Sequence, residues 1–217
     1  VRIDSPTPRT TVKRRAERGV YEHATILRIL DEGLVCHLGF VVDGQPFVLP
    51  TAYARIDDHL YLHGSPSNRM LRTGKDGLGL CVTVTLVDGL VLARSAFHHS
   101  MNYRSVVLLG TASEVDDPVE KRAAFRALVE HVAPGRYAGV RAPTDDEIQG
   151  TLVLRLPITE GSAKIRSGPP IDDESDYGWP VWAGVIPLAL RPGPPVPDSR
   201  LDPEHAVPAH ATAYVRG

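Results

Sequence analysis

Six short apolar runs separated by turn signals fill residues 34–113 before any long helical pattern begins, and this confines the chain to a mainly β, antiparallel fold. The run Leu34-Val35-Cys36-His37-Leu38-Gly39-Phe40-Val41-Val42 meets the run 47–56 across Asp43-Gly44, a strong hairpin signal. A third run, 59–63, follows Asp57-Asp58. Asp88-Gly89 between 78–87 and 90–93 predicts a second hairpin, 105–113 a further strand, and the alternation over 151–156 a last core strand. Helices punctuate the two ends of this pattern. Ala24, Ile26, Leu27 and Leu30 form a helical stripe over 21–32 that stops near Gly33. Asp117-Pro118-Val119-Glu120 supplies an N-cap, a first-turn proline and a capping-box glutamate for a helix to about His131. Thr144 and Glu147 repeat that logic for a short helix. The expected architecture is a closed or nearly closed antiparallel barrel with attached helices.

Composition decides what surrounds the barrel. With 42% hydrophobic and 23% charged residues in 217, the chain can bury one substantial core. Residues 1–19 are polar and aperiodic and predict a flexible arm; 20–166 carry the barrel. Residues 167–217 form a Pro/Gly-rich extension with an apolar island at 179–190. That island holds both tryptophans, Trp179 and Trp182, which are expected to cap the barrel or cover a pocket. A net charge of -2 gives no reason to expect a nucleic-acid partner or an anionic membrane, and Glu17 interrupts the basic run Lys13-Arg14-Arg15. No apolar stretch approaches a membrane span and no basic-then-apolar leader is visible, so a cytoplasmic location is expected. Cys36 and Cys81 sit in β-branched runs and read as small buried thiols of a reducing compartment.

Three segments could carry chemistry. In His63-Gly64-Ser65-Pro66-Ser67-Asn68-Arg69 a strand end leads into a helix start, whose free amides and positive dipole end suit a phosphate. Ser65, Ser67 and Asn68 add donors, and Arg69 adds a planar guanidinium matched to two phosphate oxygens. On spacing alone the plainer reading, an N-cap beside a solvated arginine, is favoured. Asn102-Tyr103-Arg104-Ser105 puts polar residues at the start of an apolar strand. Pro50-Thr51-Ala52-Tyr53 places a proline inside a strand, which marks an edge or a ligand-facing position. No Walker or Rossmann motif is present. His98 and His99, adjacent on one stretch, do not read as a metal pair, and the acidic stretch 172–176 reads as a solvated linker.

Taken in order with Val35-Cys36-His37-Leu38-Gly39-Phe40 and Asp88-Gly89-Leu90-Val91-Leu92-Ala93-Arg94-Ser95, these segments resemble the pyridoxamine 5′-phosphate oxidase-like family of FMN-binding split barrels. The resemblance covers about residues 15–164 and is to the bacterial branch that includes nitroimidazole-resistance reductases. It implies that residues 63–69 hold the FMN phosphate and that Pro50, Thr51, Ala52 and Tyr53 lie against the isoalloxazine ring. It makes His63 the candidate catalytic group, donating a proton or positioning substrate, and puts Arg104 and Ser105 near the cofactor or a dimer interface. It further implies an FMN-dependent oxidoreductase of a small electron-poor or unsaturated molecule, with a nicotinamide as one candidate reductant, and a homodimer in which the second subunit covers the flavin. Rival readings are a deazaflavin enzyme or haem-degrading enzyme of the same fold, or a flavin-binding sensor without turnover. Ser199-Arg200-Leu201 matches the end of a true pyridoxamine phosphate oxidase poorly, so the vitamin B6 reaction is not expected.

Overall fold

At Asp43-Gly44 both residues take positive φ, 52° and 76°, the backbone that a two-residue hairpin turn requires. The turn joins β2 (Val35–Val42) to β3 (Gln45–Ala52) in an unbroken register from Val42↔Gln45 to Val35↔Ala52. The structure, a computed structural model, describes residues 3, 5–65 and 77–216. Around this hairpin lie β1 (Gly19–Val20), α1 (His23–Glu32), β4 (Ala54–Ile56), β5 (His59–Gly64), β6 (Leu78–Leu92) and β7 (Ser100–Glu114). They are followed by α2 (Pro118–Val132), α3 (Asp145–Gln149), β8 (Leu152–Pro157), β9 (Gly161–Arg166), β10 (Gly184–Pro187) and α4 (Ala209–Thr212).

The strands run β3-β2-β6-β7-β8-β5-β4, with every pairing antiparallel. Strand β7 changes partner along one side: residues 103–108 pair with β9, whereas Ser113 and Glu114 pair with β8. That change of partner opens the sheet into a split barrel rather than a closed one. α1 buries Ile26, Ile29 and Leu30 in the main core with Leu38, Val82, Val106, Leu108, Leu154 and Leu156. A smaller cluster of Tyr61, Val115, Ala124 and Val153 seats α2 on the other face of β5 and β8. Each fully buried aliphatic side chain contributes about 1.5–3 kcal/mol, so these two clusters dominate the fold's stability.

The helix signals were sufficient: Asp117 accepts from the amides of Val119 and Glu120, and Thr144 with Glu147 makes a complete capping box. The hairpin predicted at Asp88-Gly89 is not one. β6 runs straight through it, with a bulge between Val87↔Tyr103 and Gly89↔Asn102, and neither residue has a positive φ. β10 lies so close that a Cβ on Gly89 would stand 3.0 Å from Val185 Cγ1. The predicted strand 47–56 breaks at Tyr53 into β3 and β4, and β1, β9 and β10 were not anticipated. Residues 1–19, expected to be a flexible arm, are docked where they are described. Ile3 is buried in the core cluster, Arg9 pairs with Glu160, and the amide of Val12 donates to the Tyr21 hydroxyl.

Candidate functional site

The C-terminus of α1 leaves carbonyls that its own turn cannot satisfy, and three side chains from distant parts of the chain close it. The Tyr53 hydroxyl donates to Leu30 O and to Gly33 O at 3.1 Å, and His131 Nε2 donates to Gly33 O at 2.7 Å. Arg216, in the extension, donates to Asp31 O, Glu32 O and Gly33 O at 2.8–2.9 Å and also to His131 O at the end of α2. The guanidinium is thus a cation at the negative end of a helix dipole, where charge and geometry agree.

This arrangement commits two of the candidate residues to contacts within the chain. Tyr53 is fully buried, its ring packs 4.8 Å from that of His131, and its hydroxyl is committed to α1. Burial raises its pKa. Arg104, expected near the cofactor or a dimer interface, has its guanidinium committed within the chain. Its guanidinium is clamped between Asp88 (Nε to Oδ2 3.0 Å, Nη2 to Oδ1 2.8 Å) and Glu32 (Nη2 to Oε1 2.7 Å), and these two carboxylates raise its pKa. The side chain therefore ties α1 to the β6 bulge. Ser105 donates to Lys164 O at 3.3 Å and belongs to the β7–β9 ladder.

The remaining candidates lie at the β3 and β5 ends. β3 has β2 as its partner and stands at the end of the strand path, so Pro50, opposite His37, is tolerated without an amide. Pro50 is exposed, while Thr51 and Ala52 are half-buried. His63 and Gly64 end β5 opposite Val153 and Leu152, and Ser65 is exposed just beyond. Ser67, Asn68 and Arg69 lie outside the described residues. Among the described candidates, Arg104 is the one that lines any of three main cavities.

His63 is the electrostatically distinctive member. Its ring meets Phe125 of α2 edge-on at 5.9 Å, and its Nδ1 is buried without a hydrogen-bond partner. Burial lowers its pKa below 6.5, and the same cause, reinforced by Arg216, lowers that of His131. Both are neutral in the fold but free to protonate once unfolded. The unfolded chain then binds more protons at mildly acidic pH, so their contribution is complete above the unfolded value and declines as pH falls from about 6.5 toward the folded values. Melting temperature should therefore drop between pH 7.5 and 5.5, and His63→Gln combined with His131→Gln should flatten that drop. An equally steep drop in the double variant would mean that other groups cause it.

Sequence reasoning passed over the extension, whose composition says little about contacts. Asp172, expected in a solvated linker, is buried and accepts from the amides of Arg94 and Ser95 and from the Arg94 guanidinium. β10 adds residues 184–187 to the edge of β6, yet Trp179 and Trp182 remain 64% and 67% exposed. They do not cap the barrel within one chain. His98, Asp173 and Asp176 bring ligand atoms within 4.8 Å of one another on the surface. Beyond Leu190 the extension wraps the C-terminal end of α2 and forms with it an open cavity of about 580 Å³. A second cavity of about 490 Å³ includes Arg104 and Arg216, and a third of about 520 Å³ lies over Gly39, Gly79 and Gly110.

Fold and candidate residues together define an antiparallel split-barrel protein with a long C-terminal extension. Residues 22–165 match the family model described as pyridoxamine 5′-phosphate oxidase, and the chain belongs to that family. The flavocytochrome Anf3 from Azotobacter vinelandii is 40% identical, with 98% of this chain and 99% of that one covered and a TM-score of 0.91. The FAD and haem binding protein from Mycobacterium smegmatis is 32% identical, with 92% and 98% covered and a TM-score of 0.87. A 5-nitroimidazole antibiotic resistance protein from Bacteroides thetaiotaomicron shares the fold at 23% identity and a TM-score of 0.56, covering 68% of this chain and 86% of its own. No curated protein matches the chain. No helix among the described residues is long and apolar enough to cross a membrane.

Proposed function

We propose that this protein is a redox flavoprotein of the flavocytochrome type, holding FAD on the β3 and β5 ends of its barrel together with haem, and working as a homodimer. The observation that carries the reading is its end-to-end likeness to the flavocytochrome and to the FAD and haem binding protein, which extends well past the barrel. The nitroimidazole-resistance protein leaves about a third of this chain uncovered. FMN, which the sequence resemblance implies, is the alternative flavin.

Bound flavin supplies one- and two-electron transfer, and haem one-electron transfer. The protein's own part is to orient and to exclude water. The exposed edge at Pro50 and half-buried Thr51 and Ala52 offer a flat wall for a ring, while Ser65, Ser67, Asn68 and Arg69 have the donor chemistry for phosphate. His63, neutral at pH 7 and with Nδ1 unpartnered, is suited to hold or pass a proton beside that ring. Val48 at 65% exposure and the two tryptophans leave apolar surface for a second subunit to cover, which supports the dimer.

The purified protein should absorb both as a flavin and with an intense Soret band, and heat should release a species with the mass of FAD. A flavin with the mass of FMN would move the cofactor back to the sequence expectation. A deazaflavin spectrum, or no flavin, would overturn the reading.

A further inference from the structure

The largest of the three cavities lies outside the barrel, between the C-terminal end of α2 and the extension. Its walls are apolar: Leu34 and Val132 on the barrel side face Val196, Leu201 and Val207 of the extension. Polar side chains enter it as His210, Arg136 and Tyr214. An apolar slot with a few convergent polar groups is the usual form of a cofactor site.

Two of those polar groups are uncommitted. His210, half-buried on α4, makes no hydrogen bond with the described residues, and neither does the Arg136 guanidinium make one or an ion pair. Four other histidines are engaged, His23 with Asp58, His98 with Asp173, His99 with Ser95 O and His131 with Gly33 O, and among the described residues His210 is the histidine that lines this cavity. The nearby carboxylate of Glu130 is committed elsewhere, accepting from the amides of Gly135 and Tyr137.

On the flavocytochrome reading above, we propose that this cavity is the haem site, with His210 as a ligand to the iron and Arg136 as partner of a propionate. The lone pair of a neutral imidazole nitrogen makes the iron bond, with no change of oxidation state and release of whatever water occupied that position. The guanidinium matches a carboxylate in charge and in fork geometry. The apolar walls take the porphyrin faces. The site is built almost wholly by residues beyond the barrel, which agrees with the extended coverage of the two relatives whose names include a cytochrome or haem.

The test uses the full chain, with haemin added to any haem-free fraction. The parent should bind one haem per chain with a histidine-type Soret and visible spectrum. His210→Ala should weaken haemin by at least about tenfold, since even outer partners of metal ligands are worth that much, and should lose the histidine signature. His210→Gly should recover it on addition of imidazole, and Arg136→Ala should weaken haemin without altering the signature. Flavin content and far-UV circular dichroism should be unchanged in all three. If His210→Ala keeps the parent spectrum and affinity, the site assignment is wrong while the flavocytochrome reading stands. If the parent binds no haem, that reading fails and takes the site with it.

Discussion

Tyr53→Ala is expected to lower stability by about 3–5 kcal/mol, because it removes a fully buried aromatic ring that the surrounding strands cannot collapse to replace. Tyr53→Phe isolates the hydroxyl. It keeps the ring against His131 but leaves Leu30 O without its donor and Gly33 O with one fewer, at a cost of about 1–3 kcal/mol. Denaturant unfolding of the two variants against the parent measures both terms. The comparison also separates two roles for the residue. A tyrosine facing the flavin would change flavin affinity on loss of its hydroxyl with little change in stability; the buried geometry requires the reverse. Flavin retention that falls in Tyr53→Phe at unchanged stability would show that the residue serves the ligand.

The elements that were legible in the sequence are those specified within a few residues. Asp43-Gly44 needs only two residues tolerant of positive φ, and the caps at Asp117 and Thr144 need only their own first turn. Asp88-Gly89 carries the same letters as a hairpin turn. Its conformation is set instead by partners far along the chain, since Arg104 holds the carboxylate and β10 packs on the glycine. The candidate site divides the same way. The resemblance placed His63, Pro50, Tyr53 and Arg104 alike by order along the chain, which does not say where a side chain points. The direction of Tyr53 and Arg104 is fixed by α1, which the sequence pattern could not orient. His131, Arg136, His210 and Arg216 gave no signal, because a polar residue in a helix end or a proline-rich stretch looks solvated until a tertiary partner is known.

Arg216→Ala should release the extension while leaving the barrel folded. The guanidinium reaches carbonyls at the ends of both α1 and α2, and a hydrogen bond to a charged donor is worth about 1.5–3 kcal/mol. The bonds share one side chain, so their losses do not add. Even one bond's worth raises the fraction of time the extension spends undocked by about 10- to 100-fold. Hydrogen exchange and limited proteolysis over 191–216 should therefore accelerate by that order, whereas exchange in β6 and β7 should not change. Arg216→Lys should fall between, because an ammonium keeps the charge at the helix end but cannot fork across several carbonyls. The His131 titration gives an independent readout. Arg216 is one of the causes that hold its pKa down, so removing the guanidinium should move that pKa upward while His63 stays where it is. Unchanged protection of 191–216 in Arg216→Ala would mean that the apolar contacts with α2 hold the extension by themselves.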